Sequence, residues 1–168
     1  VVEFLERRSD WPGLEYLKRR SEGSLPFGAR ERDVVAFFDG ALPQTGEGSV
    51  ALVSALARLG DRAGAEAAVL RAWTTQTIGP GGERILLENY GDLLEPHHET
   101  RLDMLLWANQ SGSARRMYPL VSDGWKALAE ARLALEQEKI GGYLVIPGGY
   151  FQGERAVFYA REEPGSRL

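Results

Sequence analysis

Leu59-Gly60-Asp61-Arg62-Ala63-Gly64-Ala65-Glu66-Ala67 joins two stretches of helical periodicity through a short polar turn. Before it, Glu47 to Leu59 places Leu52, Leu56 and Leu59 on one face. After it, Ala65, Ala68, Val69, Ala72 and Trp73 recur at the spacing of a single helix face. The two halves form a helix hairpin. Gly64 and Ala65 open the return helix, and small side chains there let the two backbones approach. Ala108-Asn109-Gln110-Ser111-Gly112-Ser113-Ala114-Arg115-Arg116 is a weak echo of the same unit. Repetition of such a unit is how α-solenoids grow, each hairpin burying its apolar face on the next. A four-helix bundle presents the same faces, and the solenoid is preferred over it. The echo is degenerate and lacks the tetratricopeptide period of about 34 residues.

Helical periodicity continues outward from this hairpin, whereas the alternation of a half-buried strand hardly appears before residue 140. Upstream, Asp33 is expected to cap a helix carrying Val34, Phe37 and Phe38. Downstream, Gly79-Pro80-Gly81-Gly82 reads as a connector, after which Leu86, Leu87, Tyr90, Leu93 and Leu94 resume the pattern. Pro96 suits the first turn of a helix bearing Leu102, Leu105 and Leu106, where the N–H that proline lacks would have no helical partner. Ala114, Met117, Tyr118 and Val121 mark the return helix, and Ala127, Leu128, Ala131 and Leu135 one more. The expected fold is all-α: a right-handed α-superhelix, or solenoid, of stacked antiparallel hairpins over residues 1–139. Residues 140–168 form an irregular or capping C-terminal segment, with a strand pair and a non-native tail as the other readings.

The composition suits this picture. The 168 residues are 43% hydrophobic and 26% charged, the profile of one ordinary domain. A chain of this size buries roughly 70% of its unfolded surface, enough to fold without a metal or disulfide. It contains no cysteine, which removes thiol catalysis and zinc ribbons but does not place the chain in a redox compartment. The net charge of −4, with 20 Lys+Arg among 24 Asp+Glu, provides no basic field for a nucleic acid backbone. No apolar run approaches the roughly 18 residues of a membrane span. Val1 in place of an initiating Met suggests a piece of a longer protein.

Five strings then carry a resemblance: Asp10-Trp11-Pro12-Gly13-Leu14, Arg71-Ala72-Trp73, Tyr90-Gly91-Asp92-Leu93-Leu94, Arg101-Leu102-Asp103-Met104-Leu105-Leu106-Trp107, and Ala114-Arg115-Arg116-Met117 followed by Leu120-Val121. In this order they resemble the superhelical, U-shaped helical domain of soluble lytic murein transglycosylases. The similarity covers about residues 1–139 and lapses after Lys139, where Gly141-Gly142, Pro147-Gly148-Gly149 and Pro164-Gly165 replace a continuous helix. The resemblance implies a periplasmic protein of bacterial cell-wall turnover. Family members cleave peptidoglycan between N-acetylmuramic acid and N-acetylglucosamine and leave a 1,6-anhydro product. Their chemistry belongs to a separate lysozyme-like domain with one acid/base glutamate in a Glu-Ser setting. No Glu here precedes a Ser, so no residue carries over as catalytic. The implied partners are glycan strands, reached through a catalytic domain outside this chain, and other cell-wall proteins. A TPR-like protein–protein interaction module is the alternative.

The remaining candidates have plainer readings. Glycoside hydrolysis needs two carboxylates held at a set separation, and Glu162-Glu163 or Glu95 with Glu99 read as solvated surface. His97 and His98 are adjacent, so on a helix they point about 100° apart, unlike the i, i+4 pair of a zinc site; no metal is expected. The Gly79–Gly82 turn lacks the Gly-Lys-Ser/Thr ending of a phosphate loop, and no cofactor is expected. Trp73 and Trp107 fall at core positions. Trp11 and Trp125 stand beside Pro12 and Gly124 and are the candidates for a glycan or partner contact. Arg101 and Asp103 join them, with an exposed or inter-helix ion pair on a polar face as the default.

Overall fold

The computed structural model describes residues 13–24, 30–136, 142–145 and 156–160. Among these the chain is mostly helical: α1 (Leu14–Glu22), α2 (Glu31–Phe38), α3 (Gly46–Arg58), α4 (Arg62–Thr75), α5 (Pro80–Leu94), α6 (His98–Trp107), α7 (Ser111–Arg116) and α8 (Asp123–Glu136). Short 3-10 turns at Glu95–His97 and Tyr118–Leu120 precede α6 and α8. The chain divides into two compact units, Val1–Arg101 and Leu102–Leu168, and the division falls within α6.

In the first unit, α3 and α4 make the expected hairpin, and their turn is a Schellman motif. The Asp61 N–H donates to Leu56 O and the Gly60 N–H to Ala57 O, with Gly60 at a φ of +82° that a side chain would strain. Asp61 then caps α4 by accepting from the Gly64 N–H at 2.9 Å. Ala65 is buried, together with Val69, Ala72 and Trp73, as the periodicity requires. The face of α3 differs from expectation. Gly46, Gly48, Ser49, Val53 and Ala55 are the buried residues, Leu52 and Leu56 are half-buried, and Leu59 is exposed. The reason is that α3 is contacted from several sides, by α2, α4 and α5, so no single leucine stripe describes its interior. Val34, Phe37 and Phe38 of α2 form a cluster with Ala55, the two phenylalanine rings meeting edge to face. At the start of α3, a Cβ on Gly46 would collide with Thr77 O, so the helix begins directly against that backbone.

Thr45 caps α3, its Oγ1 accepting from the Gly48 N–H at 3.0 Å and donating to Glu22 Oε2 at 2.7 Å. The backbone N–H groups of Gln44 and Thr45 also donate to the buried Glu22 carboxylate, which ties the end of α1 to the start of α3. The Gly79–Gly82 stretch is only partly the connector expected. Gly79 is the N-cap residue, and Pro80, Gly81 and Gly82 already belong to the first turn of α5, where proline loses no helical hydrogen bond. That helix kinks at Tyr90.

In the second unit, Leu102, Leu105 and Leu106 are buried on α6, as are Ala114 and Met117 after it. The turn following α6 repeats the Schellman geometry: Gln110 N–H donates to Leu105 O and Asn109 N–H to Leu106 O, with Asn109 at a φ of +54°. On α8 the buried residues are Ala129 and Leu133, while Leu128, Ala131 and Leu135 are half-buried and Ala127 is exposed. Apolar residues surround so much of α8 that periodicity alone does not single out its inward line. The C-terminal segment contains a strand pair: β1 (Gly142–Val145) and β2 (Val157–Ala160) run antiparallel, Leu144 opposite Phe158, and β1 packs on α8.

Candidate functional site

Two side-chain clusters stand out, one buried in the first unit and one exposed in the second. The buried cluster centres on Arg101, which is fully enclosed and not on the polar face expected for it. Helix α4 ends at Thr75, leaving its last carbonyls without helical donors. Arg101 supplies one: Nη1 donates to Trp73 O at 2.8 Å and to Gln76 O at 3.2 Å. Its Nη2 meets Glu83 Oε1, in the first turn of α5, at 2.8 Å. A cation thus sits at the negative end of α4 and a carboxylate at the positive end of α5, the favoured sense for both helix dipoles. The guanidinium also lies 4.1 Å from the centre of the Trp73 ring.

The network continues through Gln76. Ser49 Oγ donates to Gln76 Oε1, and Gln76 Nε2 donates to Pro43 O at 2.8 Å. Arg71 Nη2 donates to the same carbonyl at 3.0 Å. A charge pair removed from water is tolerated only when such hydrogen bonds complete it. His98 completes the enclosure, its ring centroid 5.7 Å from that of Trp73. Burial pushes the His98 imidazole below its ordinary pKa and Arg101 adds to the effect, while Glu95 opposes it. The charges of Arg101 and Glu83 face each other and helix ends, away from solvent.

The exposed cluster involves Trp107, Arg132 and Asp103. Trp107, expected in the core, is 68% exposed at the end of α6. Arg132 of α8 places its guanidinium 3.9 Å from the centre of the Trp107 ring and its Nη1 3.4 Å from Asp103 Oδ1. Asp103 therefore makes the inter-helix ion pair that was one of its two expected fates. Trp125 is half-buried in the first turn of α8, and Trp11 lies outside the described residues, as do Glu162 and Glu163. Glu95 is exposed, Glu99 half-buried and His98 buried, and no group of three metal-capable side chains occurs among the described residues.

A signal for both misassigned residues was present in the sequence. His98, Arg101, Leu102, Leu105 and Leu106 have the i, i+3, i+4, i+7, i+8 spacing of one face, and all five are buried. Trp107 stands two positions from Leu105 and so points about 200° away from it. Comparison with known proteins finds no matching family model, no matching curated protein and no matching solved structure.

Proposed function

We propose that this chain is a non-catalytic helical scaffold of the kind carried by soluble lytic murein transglycosylases, working in the periplasm beside a separate lysozyme-like domain. On this reading its hairpins stack as a right-handed superhelix that holds a peptidoglycan strand or the catalytic domain in place. The observation that carries it is the pairing of two of the resembling strings. Arg71-Ala72-Trp73 and the string beginning at Arg101 are joined directly, through the Arg101 contacts with the ring and carbonyl of Trp73. Residues that carry the resemblance are thereby packing determinants of the helical array, which is the role a scaffold asks of them. No described helix is long and apolar enough to cross a membrane.

A helical-repeat module for protein–protein interaction is the second reading. The repeated turn geometry at Gly60 and Asn109 favours it. The experiment separating the two combines the parent reading frame with an activity assay. A lysozyme-like domain with a Glu-Ser motif is expected after this chain, and the joined protein is expected to release 1,6-anhydro muropeptides from purified murein. The chain by itself is expected to release none. A parent without such a domain, or release by this chain alone, overturns the scaffold reading.

A further inference from the structure

We infer that α1 is a releasable strap, latched onto the start of α3 by Glu22, that opens and closes while α2 to α5 stay folded. Among the described side chains of α1, Glu22 alone is buried; Tyr16 is 64% exposed, Leu17 is 37% exposed, and Arg19 and Arg20 are exposed. No other helix packs broadly on α1 among the described residues. The contact beneath it is incompletely filled: a cavity of about 40 Å³ remains, lined by Lys18 and Glu22 of α1 and by Phe37, Phe38 and Leu42. A helix of nine residues is marginal in water without tertiary support, so α1 depends on whatever docks it.

That docking is concentrated in one carboxylate. Glu22 Oε2 accepts from the Thr45 N–H and from Thr45 Oγ1, each at 2.7 Å, and Oε1 accepts from the Gln44 N–H at 2.9 Å. Hydrogen bonds to a carboxylate are of the strong kind, and this one lies at the positive end of α3. Glu22 is also the last residue of α1, where its charge opposes the dipole of its own helix, so it serves the junction and not α1 itself. The start of α3 has separate supports. Thr45 Oγ1 accepts from the Gly48 N–H at 3.0 Å, Gly46 abuts Thr77 O, and Val34, Phe37 and Phe38 cluster with Ala55. Release of Glu22 thus leaves the cap and the α2–α3 core in place while uncovering the donors at Gln44 and Thr45. Gly48 sets the fit of the latch, since a Cβ there would stand 2.5 Å from Glu22 Oε2 and 3.0 Å from its Cβ and Cδ. Alanine at position 48 expels the carboxylate, while α3 gains helix propensity.

The test is native-state amide hydrogen exchange on the intact chain, read residue by residue across a series of low urea concentrations. In the wild type the amides of Lys18 to Glu22 are expected to exchange at least about a hundredfold faster than those of Val69 to Trp73 on α4, and with little dependence on urea. Gly48→Ala is expected to speed exchange in α1 a further tenfold or about that, the loss of one strong hydrogen bond, while exchange at Val69 to Trp73 stays the same or slows. Glu22→Gln keeps the shape of the side chain and weakens the latch without the Gly48 collision, so it is expected to move α1 in the same direction by less. Exchange of α1 at the rate and urea dependence of α4 in the wild type overturns the strap, because α1 then opens only with the whole unit. Equal acceleration of α1 and α4 by both variants overturns it too. Rapid exchange of α1 that neither variant changes would remove Glu22 as the latch.

Discussion

Arg101 contacts Trp73 twice, laying its guanidinium 4.1 Å from the ring centre while donating to the Trp73 carbonyl oxygen at 2.8 Å. The same group meets Glu83 at 2.8 Å, so one side chain joins the end of α4 to the start of α5. Replacing Arg101 with Met removes the donor shared by Glu83 and two carbonyls, and takes the Arg101 charge away from the buried Glu83 carboxylate. A loss of about 3–5 kcal/mol in urea unfolding is expected. Arg101→Met combined with Glu83→Leu is expected to cost clearly less than the sum of the two single changes, because the double variant leaves neither charge of this pair buried alone. Strict additivity would show that the two residues are not coupled.

The two hairpin turns make matched predictions. Ala65 is 1% exposed and Ala114 is 0% exposed, at corresponding places in the two turns. Leucine at either position overpacks the helix entry and is expected to lower stability by roughly 1–3 kcal/mol. Thermal unfolding of each variant checks this, and an unchanged melting temperature at Ala65 would mean that its neighbours yield without strain.

Gly60 and Asn109 hold the same left-handed place after α3 and α6, at φ of +82° and +54°. Gly60→Ala is expected to destabilise by about 1–2 kcal/mol, since the left-handed region crowds a Cβ. Asn109→Gly should instead leave stability unchanged or raise it by a few tenths of a kcal/mol, with Asn109→Ala lowering it. Denaturant midpoints for the three variants give the comparison; Asn109→Ala matching the wild type would contradict it.

His98 supplies a pH dependence. Its ordinary pKa of 6.5 is lowered in the fold, chiefly by burial, and its Nδ1 has no hydrogen-bond partner among the described residues. Between the lowered folded value and 6.5 the unfolded chain binds the extra proton. The contribution of His98 is therefore fully present above about pH 6.5, declines as pH falls below it, and levels off once the folded ring is protonated too. Urea unfolding at about pH 7.5 and about pH 5 is expected to show a smaller pH-dependent loss in His98→Leu than in the wild type. Equal losses in both would assign the pH dependence to other groups.

Helices and turns were legible in the chain because their causes are local. Spacing at i, i+3, i+4 and i+7 marks an inward face wherever a helix has one neighbour, and Ala65, Val69, Ala72 and Trp73 lie on it as expected. Gly60 announces its turn because few other residues accept its φ. Where a helix is contacted from several sides, as α3 is, or is apolar around most of its surface, as α8 is, the same pattern names the helix but not its buried line.

The sequence by itself determined that this protein is helical, where its main hairpin turns, and which residue types close that turn. Tertiary structure alone decided what the charged and aromatic residues do. Glu83, Trp73 and Gln76 stand 18, 28 and 25 positions from Arg101, and a charge on an apolar stripe reads as a surface break until such partners are in place. Trp107 shows the converse, since its size suggests a core while its angle on α6 turns it to solvent against Arg132. Helical periodicity is set by backbone geometry within a few residues. Whether a charge is paired or an indole covered depends on which helix ends the fold brings together, and that is a property of the packed chain.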